Sequence, residues 1–115
     1  VIIKNEELLE QFRQKRICEG CGRPLRFKAE PHHTCVTRGF GGGTRLDIAI
    51  NLTALGNVWE CGCHDKTTKG KPPMRSKLLQ VIAEREGCTV AYIVEECARI
   101  LALDKHAALL DTVEL

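Results

Sequence analysis

Three patterns of apolar spacing run along the chain. Leu8, Leu9 and Phe12 follow i, i+1, i+4 spacing and predict a helix over 5–16 with one apolar stripe. Asn5 suits its N-cap, Glu6 and Glu7 suit its first turn, and Arg13, Lys15 and Arg16 suit its other end. The second pattern is alternation. Ile48, Ile50, Leu52 and Ala54 read as the inner face of a half-buried strand over 46–55. Residues 25–36 hold β-compatible pieces around Pro31, and the two segments predict a hairpin joined by the glycine-rich run 39–43. A short helical segment follows Cys63-His64 and ends at Gly70 and Pro72-Pro73. The third pattern is helical again. Leu78, Leu79, Ile82 and Ala83 predict a helix over 74–86, closed by Gly87. Thr89 then caps a second helix over 90–103, with Ile93, Val94, Cys97, Ile100 and Leu101 on one face. Residues 107–115 add a short helix or a frayed end.

Composition narrows the class. The chain has 115 residues, 43% hydrophobic and 28% charged, which is ordinary for one globular domain or a compact domain with an appendage. No run approaches the roughly 18–20 apolar residues of a membrane span, and no signal-peptide pattern opens the sequence. No membrane partner is expected, and a cytoplasmic location is. The net charge of +2 conceals an asymmetry. Residues 1–77 carry fourteen Lys and Arg against eight Asp and Glu, and residues 78–115 carry three against seven. Basic clusters at 13–45 and 66–77 lie on both sides of the histidines and suit a phosphate backbone, although a charge run alone is more often a solvated face.

Seven cysteines are many for this length, and their odd number argues for metal ligation or free thiols over a disulfide scaffold. Cys18-x-x-Cys21 and Cys61-x-Cys63 are two close pairs, the usual way a chain supplies four ligands to a tetrahedral structural zinc. Buried free thiols are the alternative. Cys35, Cys88 and Cys97 read as small core residues.

Three of the four histidines fall within or next to this bracket. Glu30-Pro31-His32-His33 comes first, and His64 directly follows Cys63. Neighbours on an extended segment point to opposite faces, so His32 and His33 are expected to play different parts. Taken together, Cys18-x-x-Cys21-Gly22, Glu30-Pro31-His32-His33, Arg38-Gly39 with three further glycines, Asn51-Leu52-x-x-Leu55 and Cys63-His64-x-Lys66-Thr67 resemble the HNH endonucleases, in the form of small phage and prophage proteins. The resemblance covers about residues 17–70.

It implies an α+β fold: a ββα-metal nuclease core with a four-cysteine zinc site, flanked by an N-terminal helix and a C-terminal helical pair. The corresponding divisions are an N-terminal helix over 1–16, a nuclease core over 17–71, and a helical segment over 72–115 packed on it. It further implies hydrolysis of DNA phosphodiester bonds, nicking or cutting duplex DNA with weak sequence specificity. His33 would be the general base, Asn51 would hold His33 across the hairpin loop, and His32 and His64 would hold a catalytic divalent ion (Mg²⁺, Mn²⁺, Ni²⁺ or Zn²⁺). Arg38, Lys66 and Lys69 are the candidate DNA contacts. A phage or prophage origin in a bacterial host goes with the resemblance, as does a phage terminase as a partner. The chain departs from the pattern at Gly56, where a cysteine often follows the leucine. It also carries an inserted stretch at 56–60, and Thr68 stands where many members place a further histidine. The competing reading is a non-catalytic zinc module that binds nucleic acid or protein.

Overall fold

In the computed structural model the described residues are 2–38 and 43–113, with side chains described through 102. The expected glycine-rich connection thus lies largely outside the described residues, as do the last two positions. The elements run β1 (Ile2–Ile3), α1 (Glu6–Arg13), β2 (Glu30–His33), β3 (Arg45–Leu46), a 3-10 turn (Ala49–Asn51), β4 (Leu52–Leu55), α2 (Cys63–Thr68), α3 (Arg75–Glu86) and α4 (Val90–Val113). This is an α+β fold with two small sheets and four helices among the described residues.

The helix ends form where capping chemistry puts them. Asn5 accepts a hydrogen bond from the Leu8 amide at 3.0 Å and starts α1. Thr89 accepts one from the Tyr92 amide at 3.0 Å. Gly87 ends α3 with φ +68°, a left-handed conformation that glycine adopts without a steric penalty. The two expected C-terminal pieces are one continuous element, since α4 runs through Val113. No described helix is long and apolar enough to cross a membrane.

The strand expected over 46–55 is broken. Only Leu52–Leu55 pairs with β2, antiparallel, with His33 opposite Leu52 and Glu30 opposite Leu55. Before it the chain buckles through the 3-10 turn, because the Asn51 side chain bonds the backbone at four points and a straight strand cannot offer them. β3 instead pairs in parallel with β1, a sheet too short to show as alternation. All four residues of β4 are buried, because α1 and α3 both pack against it. A strand covered on both sides loses the period-two pattern.

Two apolar clusters result. The first gathers Leu9 and Phe12 of α1, Cys18, Leu25 and Ala29, then Leu52, Ala54 and Leu55, Cys63, and Leu78 of α3. The second gathers Val36, Leu46, Leu79, Ile82, Ala83, Ile93 and Cys97. Helix α3 serves both, and arginines fix it further. Arg85 donates to the carbonyls of Ala49 (2.6 Å) and Leu52 (3.0 Å) and pairs with Glu19 at 2.8 Å. Arg75 donates to the carbonyls of Thr34 (3.2 Å) and Cys35 (2.9 Å). Helix α3 is therefore packed against β4 and the 3-10 turn before it.

Candidate metal centre and histidine cleft

The thiols of Cys18, Cys21, Cys61 and Cys63 lie within 4.8 Å of one another. Four soft donors converging at that spacing match what a tetrahedral zinc requires, so the residues fit a structural metal ion. Local structure explains the convergence. The Cys18 carbonyl accepts from the Gly22 amide at 2.8 Å, which turns the chain between the first two thiols. Gly62, with φ +69°, makes the corresponding turn between Cys61 and Cys63 and opens α2. The Gly56 amide donates to Cys18 Sγ at 3.4 Å. Burial pushes the Cys18 and Cys63 thiols up. Burial opposes ionisation of Cys61 as well, but hydrogen bonds from the Cys63 amide and the other thiols outweigh it and lower its pKa.

Gly56, where a cysteine was expected by resemblance, is accounted for sterically. A Cβ at that position would collide with Cys61 Sγ and meet Leu25 Cδ2 at 3.0 Å. The inserted stretch therefore loops out and returns Cys61 to the space beside position 56.

His32, His33 and His64 line one cleft of about 340 Å³, together with Leu9, Arg13, Pro31, Thr37, Arg38 and Thr68. The rings of His32 and His64 meet edge to face, centroids 5.2 Å apart. Burial, assisted by the charges of His64 and His33, pushes the His32 imidazole down to about 4, so it is neutral at physiological pH. His64 Nδ1 lies 3.2 Å from Glu30 Oε1. The carboxylate only accepts, so Nδ1 carries the proton and Nε2 keeps its lone pair. A carboxylate behind an imidazole is a usual second partner of a metal-binding histidine.

His33 Nε2 lies 2.7 Å from Asp47 Oδ1. Asp47 Oδ2 also accepts from Arg45 Nε at 2.8 Å and from the Asn5 amide at 2.9 Å, and Arg45 reaches on to Glu6 at 2.8 Å. The Asp47 side chain is fully buried. Burial raises its pKa, but the Arg45 guanidinium, the Asn5 amide and His33 overcome this and hold it at about 2. An ionised carboxylate fixes the His33 tautomer, with Nε2 protonated and Nδ1 left as the basic nitrogen.

The Asn51 side chain hydrogen-bonds across the hairpin loop but does not touch His33. Its amide oxygen accepts from the Cys35 and Val36 amides, and its amide nitrogen donates to the carbonyls of Val36 and Leu46. Every bonding position of the amide is used on main chain, so Asn51 pins the two ends of the loop between β2 and β3, while Asp47 holds the His33 ring. His32 and His33 do have different partners, as alternation requires, yet both reach the same cleft. His33 is the last residue of β2; the Thr34 amide still donates to the Asn51 carbonyl at 2.7 Å, and the chain bends after it at Cys35 and Val36.

The expected DNA contacts separate. Arg38 lines the histidine cleft. Lys69 is exposed and pairs with Asp65 at 3.0 Å. Lys66 lies away from the cleft, lining a hollow with Cys21, Cys63, Pro73 and Lys77, because it sits about half a helical turn from His64. Sequence reasoning missed Asp47, Glu30 and Arg13. Asp47 carried one usable signal, an isolated acid between two apolar residues and beside an arginine. No family model, curated protein or solved structure matches this chain.

Proposed function

We propose that the protein is an HNH-type endonuclease that hydrolyses DNA phosphodiester bonds. The observation that carries this reading is the partnering of three histidines around one cleft: His33 on buried Asp47, His64 on Glu30, and neutral His32 facing His64. His33 Nδ1 would take the proton from the attacking water, with Asp47 orienting the ring and stabilising the imidazolium that forms. Neutral His32 and the Nε2 of His64 would hold a divalent ion, and two imidazoles suit Mn²⁺, Ni²⁺ or Zn²⁺ better than Mg²⁺. Such an ion, when bound, neutralises charge that develops on the scissile phosphate. Arg38 and Arg13, at the cleft wall, would hold the phosphate in place. The four-cysteine centre would fix β4 and α2, which carry the hairpin partner of His33 and His64 itself.

The test is supercoiled plasmid incubated with purified protein and Mn²⁺ or Mg²⁺. Relaxed or linear product is expected, and His33→Ala should slow its formation by about 10²–10⁴-fold while retaining bound zinc and far-UV dichroism. A folded, zinc-loaded His33→Ala protein that cleaves at the parent rate removes His33 from the chemistry. Salt-sensitive DNA binding with no cleavage in either metal would favour a non-catalytic zinc module.

A further inference from the structure

The loop at 56–60, which the nuclease reading leaves without a task, carries the only tryptophan of the chain. Trp59 is 84% exposed and Phe27 56% exposed. Scattered surface hydrophobes are ordinary, but these two wall the same pair of adjoining hollows. One, of about 560 Å³, includes Arg13, Pro31 and His64 and so continues the histidine cleft. The other, of about 270 Å³, includes Arg23 and Arg26. Cleft and hollows thus form one path leading from His64 past Trp59 and Phe27.

The aromatic pair stands on a braced loop. Asn57 Oδ1 accepts from the Trp59 amide at 2.9 Å, and the Asn57 carbonyl accepts from the amides of Glu60 (3.1 Å) and Gly62 (2.8 Å). The Glu60 carboxylate accepts from the Arg26 amide, tying this loop to the one that carries Phe27. The charge along the path is largely basic. Arg13 and Lys28 line the first hollow with Glu30 and both pair with Glu10, and Glu60 lines the second, but the Arg23 and Arg26 side chains meet no carboxylate within ion-pair distance among the described residues.

Exposed aromatic faces beside unpaired guanidinium groups suit bases whose own faces are exposed. In an intact duplex those faces are covered by neighbouring base pairs. In an unpaired stretch they are free, and base–aromatic stacking is tolerant of sequence. We propose that Trp59 and Phe27 stack on unpaired nucleotides emerging from the histidine cleft, with Arg23 and Arg26 following their phosphates. The substrate class is then DNA with a single-stranded stretch beside the cleaved bond. Its placement rests on the nuclease reading of the cleft; its binding chemistry does not.

Trp59 is its own reporter. The zinc-loaded 115-residue chain is titrated at low salt, with no further divalent ion added, using an oligothymidylate and a blunt duplex of equal length. The single strand is expected to quench Trp59 emission saturably, and the duplex to leave it nearly unchanged. Followed by anisotropy of a labelled strand, Trp59→Ala and Phe27→Ala should each weaken single-strand binding about 5- to 100-fold, with Trp59→Phe retaining most of the affinity. Absent quenching, equal quenching by duplex, or variants that bind like the parent would overturn the proposal. A protein that cleaves plasmid without single-strand quenching refutes the stacking site and leaves the nuclease. Quenching without cleavage in any metal does the reverse.

Discussion

The apolar cluster around the hairpin and the one between α3 and α4 are similar in size but differ in composition. The first contains two of the four clustered thiols, Cys18 and Cys63, and takes its remaining members from two helices, a strand and irregular chain. The second is aliphatic apart from Cys97, a thiol outside the cluster of four, and draws in partly buried Ile3, Cys35, Ile48, Ile50, Cys88, Val90, Ile100 and Leu101 around its edge. Where a metal can lock the chain, residues 19–29 are free to follow turns. Where no metal is available, two helices must bring enough aliphatic area together. The candidate active site sits on the side of the four converging thiols, against elements whose geometry the metal would set. The helical side acts as a buttress through Arg75 and Arg85.

Removing the metal is the strongest way to break this contrast. Structural zinc supplies on the order of 10 kcal/mol to small domains. Chelation or Cys63→Ser should therefore abolish amide protection in β4 while much of the α3–α4 helicity persists. Hydrogen exchange alongside far-UV dichroism reads both, and a hairpin that stays protected without metal would contradict the division. Next in size, Ile82→Ala empties a fully buried position of the aliphatic cluster. A loss of about 2–5 kcal/mol is expected in urea unfolding, with zinc stoichiometry unchanged; loss of zinc in this variant would mean the two clusters are not separable.

Asp47→Asn should have the smallest effect on stability, about 1–3 kcal/mol, while slowing plasmid cleavage about 10²-fold or more through loss of the His33 tautomer. The pH dependence follows from the depressed carboxyl. Its folded pKa of about 2 lies below the ordinary 3.8, so its contribution is fully present above 3.8 and disappears as pH falls toward 2. The stability difference between parent and Asp47→Asn should shrink across that window. A difference that is constant there would show that the carboxylate charge is not what holds Arg45 and His33.

The sequence carried the helices well, because caps and apolar stripes are local. Asn5, Thr89 and Gly87 act where the chain places them, and the two cysteine pairs converge as their spacing requires. The break in the 46–55 segment was not legible. Its cause is one side chain, Asn51, whose four partners lie at positions 35, 36 and 46. Asp47 was hidden by the same error, since alternation assigns it to solvent. Its burial depends on Arg45, on the Asn5 amide and on His33, which lie from two to more than forty residues away. The histidines themselves stood out by motif, while their carboxylate partners, Asp47 and Glu30, emerged only once the hairpin was folded.

The clash between a side chain at position 56 and the thiol of Cys61 constrains the routes by which such a centre can be rebuilt. A cysteine at position 56 would insert a fifth thiol into space already taken. Position 56 and Cys61 thus compete for one place beside the other three thiols, and the loop between them is what lets the more distant residue take it. That leaves its outer residues open to selection for contacts with no bearing on the thiols beneath.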